Sequence, residues 1–219
     1  MRKIIVGAFV SLDGVMQAPG GPQEDPIGGF QFGGWVVPYF DEAMGAAVDA
    51  MFARPFDLLL GRKTYDIFAA YWPYAGPDDP IGTLFDRVTK FVATRNPDLK
   101  LEWQNSKSLG PDVVAALRAS KSEDGPNLLT QGSTDLLKTL FQHDLVDELY
   151  VHTFPLVLGS GKRLFSQGAA PVAMSLESST TSPSGVTTNK YVRKGAVETG
   201  SFGADQPSEA ELERRRKLS

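Results

Sequence analysis

Short, nearly continuous apolar runs alternate along the chain with segments whose apolar residues recur at helical spacing. The first run, residues 4–10, predicts a strand covered on both faces. After Pro38, the spacing of Phe40, Met44, Val48, Met51 and Phe52 predicts one amphipathic helix over 39–52. Residues 56–60 form a second buried run that ends at Gly61. A helix follows at once, with Tyr65, Phe68, Tyr71 and Trp72 on one side, and Pro73, Gly76, Pro77 and Pro80 break it. Strands are expected at 88–93, 101–103, 127–131 and 149–154. Helices are expected at 111–119, with proline in the first turn, and after Ser133, which is placed to cap a face of Leu136, Leu137, Leu140 and Phe141. Two last strand-like runs, 172–180 and 186–193, flank the turn cluster Ser182-Pro183-Ser184-Gly185 and predict a closing hairpin.

Strands alternating with helices require a mainly parallel sheet with helices on both faces. The predicted fold is therefore a three-layer α/β/α sandwich over residues 1–195, with a mixed, mainly parallel sheet and an antiparallel hairpin at its C-terminal end. Residues 17–37 are rich in glycine and proline yet carry Phe30, Phe32 and Trp35, a combination expected of a flap over a site rather than of plain disorder. Beyond Ala196 the chain turns polar, and 196–219 is expected to be a mobile tail with a short helix capped by the Ser208/Glu211 pair.

Composition narrows the chemistry. The absence of cysteine from all 219 residues excludes disulfide scaffolds, thiolate metal sites and cysteine nucleophiles, and it fits a reducing compartment. A net charge of -4 argues against a nucleic-acid surface. No run approaches the roughly 20 apolar residues of a membrane-spanning helix, so a soluble, cytoplasmic protein with no membrane partner is expected. The only histidines are His143 and His152, and without spaced acidic partners they give no reason to expect a metal.

Two junctions could bind an anion. In Leu60-Gly61-Arg62-Lys63-Thr64-Tyr65 a buried strand delivers a glycine directly to a helix start. There, free backbone amides, the dipole and two cations would suit a phosphate. Gln131-Gly132-Ser133-Thr134 repeats the arrangement, and ligands of open α/β sheets sit outside the carboxyl ends of the strands. Each junction also fits an ordinary strand–helix connection. A third segment, Gly159-Ser160-Gly161-Lys162-Arg163, matches neither a P-loop nor the dinucleotide glycine pattern, because Leu156, Arg163 and Leu164 stand at the required positions. No nucleophile elbow of the Gly-x-Ser-x-Gly kind is present, which discounts hydrolase chemistry.

Five of these segments in order carry a resemblance. They are Ser11-Leu12-Asp13-Gly14, Gly61-Arg62-Lys63-Thr64-Tyr65, Thr94-Arg95, Gln131-Gly132-Ser133, and Leu145 to Leu149 leading to Pro155 and Gly159-Ser160-Gly161-Lys162-Arg163. Together they resemble the dihydrofolate reductase superfamily. More narrowly, they are similar to the C-terminal reductase domain of the bifunctional deaminase/reductase of riboflavin synthesis and its stand-alone relatives, over residues 2–194. The resemblance implies NADPH as cofactor, lying across the carboxyl edge. Gly61, Arg62, Lys63 and Thr64 would meet the pyrophosphate, Arg62 with Thr94 and Arg95 the 2'-phosphate, and Gln131, Gly132, Ser133 and Thr134 would form a second phosphate loop. Relatives have a strained Gly-Gly peptide at that loop, whereas Gln131 stands here for the first glycine. The resemblance further nominates Asp13 as the catalytic residue that orients substrate or relays a proton, Ser11 and Asp13 as substrate neighbours, and Lys162 or Arg163 as partners for a substrate phosphate.

Dihydrofolate reductases proper place a carboxylate on the first helix, where this chain has Met44-Gly45-Ala46-Ala47, so folate reduction is disfavoured. The implied activity is NADPH-dependent reduction of a small heterocyclic or imine substrate, as in 5-amino-6-(5-phosphoribosylamino)uracil reductase. The alternatives are reduction of another pterin or carbonyl compound, and a non-catalytic nucleotide-binding dimer of the same fold. A homodimer is expected from the resemblance alone.

Overall fold

Alternation along the first strand decides which helix lies on which face. In β1 (Ile4–Ser11), Ile4, Val6, Ala8 and Val10 point to one side, where Leu117 of α4 (Val113–Ser122) and Leu136, Leu137, Leu140 and Phe141 of α5 (Thr134–Gln142) cover them. Ile5 points to the other side, toward Tyr65 of α2 (Arg62–Tyr71) and Phe85 of α3 (Pro80–Arg87). On that side α1 (Glu42–Phe52) also packs through Met44, Val48 and Met51. Three layers result. The computed structural model describes residues 1–96, 98–165, 169–203 and 207–218.

The remaining strands are β2 (Phe56–Gly61), β3 (Lys90–Ala93), β4 (Ser106–Ser108), β5 (Asn127–Gln131), β6 (Glu148–Phe154), β7 (Ala173–Thr181) and β8 (Thr187–Gly195). They form one sheet in the order β4-β3-β2-β5-β1-β6-β8-β7. All neighbours from β4 to β6 pair in parallel, whereas β8 runs antiparallel to both β6 and β7. The carboxyl ends of β1, β2, β3, β5 and β6 therefore share one edge. The expected mixed sheet with its closing hairpin is the observed one.

Three details differ from the sequence expectation. The outermost parallel strand is Ser106–Ser108, not 101–103. Trp103 is apolar and buried because its ring lies beneath Lys90 Nζ, 4.3 Å away, and its backbone N–H donates to the Tyr65 hydroxyl; burial was legible there, pairing was not. Helix α3 lies where only breakers had been read. Its start signal was Asp79, whose side chain caps Ile81 and Gly82, followed by Pro80 at the first helical position. In the tail, α6 (Glu209–Arg216) forms with Ser208 as its cap and buries no residue; positions 204–206 and 219 of the tail lie outside the described residues.

The amino edge is closed by ion pairs. Buried Arg2 meets Asp57 at 2.5 Å, and buried Glu148 accepts from Arg54 at 2.5 Å and from Lys3 at 2.8 Å. Burial acts to raise the Glu148 carboxyl, but the hydrogen bonds from Arg54 and Lys3 outweigh it and hold it at about 2.

His152 of β6 is fully buried. Its Nδ1 lies 2.9 Å from the Thr188 hydroxyl, its Nε2 has no partner, and burial lowers its pKa to about 4. The folded protein thus refuses a proton that the unfolded chain accepts near pH 6.5. The His152 contribution should be intact above that pH, fall by roughly 3 kcal/mol between pH 6.5 and 4, and level off below. Denaturant unfolding across this range should show the slope in the native protein and lose most of it in His152→Gln, while the loss from Glu148 and other depressed carboxyls appears only below about pH 4.

Candidate functional site

Two helix starts meet at the carboxyl edge, one after β2 and one after β5. Gly61 ends β2 and serves as the cap position of α2, where an added Cβ would lie 3.0 Å from both Cβ and Oγ of Ser133, a tight approach that favours glycine. The chain turns from β5 into α5 through two successive left-handed residues, Gly132 at φ 79 and Ser133 at φ 65. For serine that conformation costs about 1 kcal/mol or more. What offsets it is the Ser133 hydroxyl, which accepts the Gly61 N–H at 2.8 Å and donates to Thr64 Oγ1 at 2.7 Å. The expected capping by Ser133 is therefore corrected. Its side chain makes no cap bond to α5, because it is turned toward α2 instead.

The consequence is electrostatic. Asp41, Asp79, Asp112 and Ser208 cap the other four helices with their side chains, whereas α2 and α5 have no side-chain cap. The amides of Arg62, Lys63 and Thr64 and of Thr134, Asp135 and Leu136 have no acceptor within their own helices. Both dipoles place partial positive charge at one point of the edge. Asp135, in the first turn of α5, offsets a part of that charge. Nearby, Thr94 is buried and accepts the Asn96 N–H at 3.1 Å, Arg95 is exposed, and Lys63 is exposed. Among the described residues neither Lys63 nor Arg95 makes an ion pair. Arg62 does, with Asp66 at 2.8 Å, in an exposed helical pair that contributes little. No cis peptide occurs among the described residues, so the turn at Gln131-Gly132 is made by left-handed residues alone.

The β1–β6 end of the same edge is built differently. Residues 14–16 and 162–164 pair as a short antiparallel ribbon, with Met16 N–H to Lys162 O at 2.8 Å and Leu164 N–H to Gly14 O at 3.0 Å. Asp13 holds this ribbon from one side. It accepts from the Ser11 hydroxyl at 2.6 Å, from Leu158 N–H at 3.1 Å and from Gly159 N–H at 3.0 Å, and it pairs with Arg163 at 3.2 Å. The Ser11 hydrogen bond, with the two amides, lowers its pKa to about 2 against a smaller opposing effect of burial. A carboxylate so held is ionised at neutral pH, and its bonds to Leu158 and Gly159 fix the loop that follows β6. Ser11 itself is buried beneath Asp13 and supports it through its hydroxyl.

The two cations of this loop are also engaged. Lys162 pairs with Asp25, and Arg163 pairs with Asp13 while donating to the carbonyls of Asp13 and Gly159. Both residues expected to face a substrate phosphate are thus held by carboxylates of the chain. Gly161 sits at φ 125, and an added Cβ would fall 2.6 Å from Val15, so the loop closes tightly on β1's continuation.

The segment 17–37 is a packed loop. Trp35 stands edge-on to Phe154 at 5.2 Å, and its Nε1 donates to Gln17 O at 2.8 Å. Gln17, buried, donates through Nε2 to the carbonyls of Asp25 and Ile27 and accepts the Lys162 N–H at 3.0 Å. Sequence reasoning missed this residue; the signal was a single amide side chain between Met16 and Ala18 in an otherwise apolar entry to the loop. Glu24 accepts from Gly20 and Gly21, and burial raises its pKa against those two bonds. An open hollow of about 440 Å³ lies at the opposite, amino edge, lined by Arg118, Lys121, Ser122, His143 and Asp144 at the C-terminal ends of α4 and α5. Those ends carry partial negative charge, and Lys121 is already bound to Asp147 at 2.5 Å.

Sheet order, layering and this edge define a dihydrofolate reductase-like α/β protein. A family model for the RibD C-terminal domain matches residues 2–188, and the chain belongs to that family. YyaP, an uncharacterized protein of Bacillus subtilis (strain 168), is 26% identical over 190 residues, covering 84% of this chain and 92% of that one. Among solved structures, the Thermotoga maritima diaminohydroxyphosphoribosylaminopyrimidine deaminase/5-amino-6-(5-phosphoribosylamino)uracil reductase superposes with a TM-score of 0.59 at 12% identity, over 88% of this chain and 57% of that one. The Enterococcus faecalis dihydrofolate reductase complexed with NADP(H) gives 0.53 at 15% identity, over 87% and 96%. These likenesses establish the fold.

Because Gln17 joins three segments, Gln17→Ala should leave two carbonyls and one amide without partners. A loss of about 2 kcal/mol is expected. Thermal unfolding should register it as a fall of roughly 4–8 °C.

Proposed function

We propose that the protein is an NADPH-dependent reductase that acts on an electron-poor carbon of a small heterocyclic or imine compound. The observation that carries this reading is the pair of uncapped helix starts locked side by side by Ser133, with Lys63 and Arg95 unpaired beside them. Membership of the RibD C-terminal domain family supports it.

The donor set fits a dinucleotide phosphate. Amides of Arg62, Lys63 and Thr64 would take one phosphate of the pyrophosphate, and amides opening α5 after Gly132 and Ser133 the other, with Thr134 and Gln131 bordering it. Arg95, Lys63 and Thr94 would take the 2'-phosphate, and Arg62 would join them by leaving its exposed pair. When bound, the reduced nicotinamide supplies the hydride. The protein's share is orientation and exclusion of water: Asp13 fixes the 158–163 loop, and the packed 17–37 loop walls the β1–β6 end. No carboxylate lies on the buried face of α1, which consists of Met44, Val48 and Met51, while Glu42 and Asp49 are exposed. That composition favours a substrate other than folate.

Thermal shift with NADPH and NADH tests the reading. At one hundred times Kd, NADPH should stabilise by about 2.7 kcal/mol. NADH should give a smaller shift at equal concentration. Arg95→Ala and Lys63→Ala should weaken NADPH by roughly tenfold or more and leave NADH nearly unchanged. Equal shifts for the two cofactors, or none with either, would refute the assignment.

A further inference from the structure

We infer, on the basis of the reductase reading above, that the compound reduced at the β1–β6 end of the edge is neutral and carries no phosphate. Along the carboxyl edge the charge is divided unevenly. At the β2–β5 end, two helix starts and two cations are without carboxylate partners. At the β1–β6 end, every positive feature described is already matched by a carboxylate of the chain. Lys162 is matched by Asp25 and Arg163 by Asp13. The start of α1 is matched by Asp41, which accepts Met44 N–H at 2.8 Å and also binds the turn between β7 and β8 through Ser184 N–H at 2.9 Å. Positions 166–168, which follow the loop, are serine, glutamine and glycine and bring no cation.

A phosphate ester at this end would have to displace Asp25 or Asp13 from its cation. The Lys162–Asp25 pair is partly shielded from water, with side-chain exposures of 29% and 15%, so a displaced Asp25 would be left beside the incoming dianion with reduced screening. Asp13 would in addition lose its bonds from Leu158 and Gly159, which shape the loop. What the end does expose is apolar: Leu12 and Val157 are 64% and 68% exposed, on neighbouring segments joined by the Leu12 N–H to Leu156 O bond. That surface suits the face of an uncharged ring. The inference separates this chain from a reductase of a phosphoribosyl substrate while keeping the same cofactor and the same hydride chemistry.

The test follows the amide resonances of 158–163 during titration with inorganic phosphate and with ribose 5-phosphate, in protein saturated with NADPH. The native protein should show no saturable shift at millimolar ligand. Asp25→Asn, which releases Lys162, should bind ribose 5-phosphate about tenfold tighter than the native protein or better. A saturable shift of these amides in the native protein would overturn the inference, and an unaltered affinity in a folded Asp25→Asn would overturn the role given to Asp25. The native titration decides the substrate class even if the variant does not fold. Cofactor binding is read separately, by the thermal shift: a protein that ignores NADPH defeats the reductase reading, whereas one that binds NADPH and also phosphate at 158–163 defeats this inference alone.

Discussion

A single serine hydroxyl joins two strand–helix junctions at the carboxyl edge of the sheet. Ser133 adopts a left-handed backbone that its side chain disfavours, and it turns its hydroxyl away from its own helix toward Gly61 and Thr64. Two strand–helix junctions separated by about seventy residues in sequence become one surface. Because the hydroxyl is committed there, it does not cap α5, and because the residue at position 61 is glycine, which has no side chain to offer, no side chain caps α2 either. The same contact that joins the two helix starts leaves both open to an anion. Local strain, a close approach and an unmet electrostatic demand coincide at one point, as expected of a site arranged for binding.

Charge pairing elsewhere sharpens the contrast. At the amino edge Glu148 gathers Arg54 and Lys3, and Arg2 is buried against Asp57, so that edge serves stability. Past β1 and β6, carboxylates close the loops by taking up Lys162, Arg163 and the start of α1. Beyond β2, β3 and β5, by contrast, two helix starts have no side-chain cap, and Lys63 and Arg95 make no ion pair among the described residues. A dinucleotide with a 2'-phosphate laid across such an edge would meet positive charge at its phosphates and a neutral, partly apolar surface at its reactive end.

Much of the fold was legible because strand and helix periods differ. The alternation of Ile4, Val6, Ala8 and Val10, and the Leu136–Phe141 stripe, are local patterns that packing then obeys. The Gly61 and Gly132 junctions were legible as strand–helix connections for the same local reason. What local patterns did not carry was partnership. Trp103 read as a strand because burial and pairing leave the same apolar signal, and Ser133 read as a cap because the sequence does not show where a side chain turns. Lys162 and Arg163 read as free cations because Asp25 and Asp13 lie more than a hundred residues away in the chain. Long-range hydrogen bonds decide the site, and they are the least visible in sequence.

Hydrogen exchange of the backbone amides, with and without NADPH, tests the central claim most directly. The account predicts new protection concentrated at residues 61–64 and 132–136, with Thr94 and Arg95 following and the hollow at 118–122 and 143–145 unaffected. Protection confined to the amino edge, or none at the two helix starts under saturating cofactor, would contradict it.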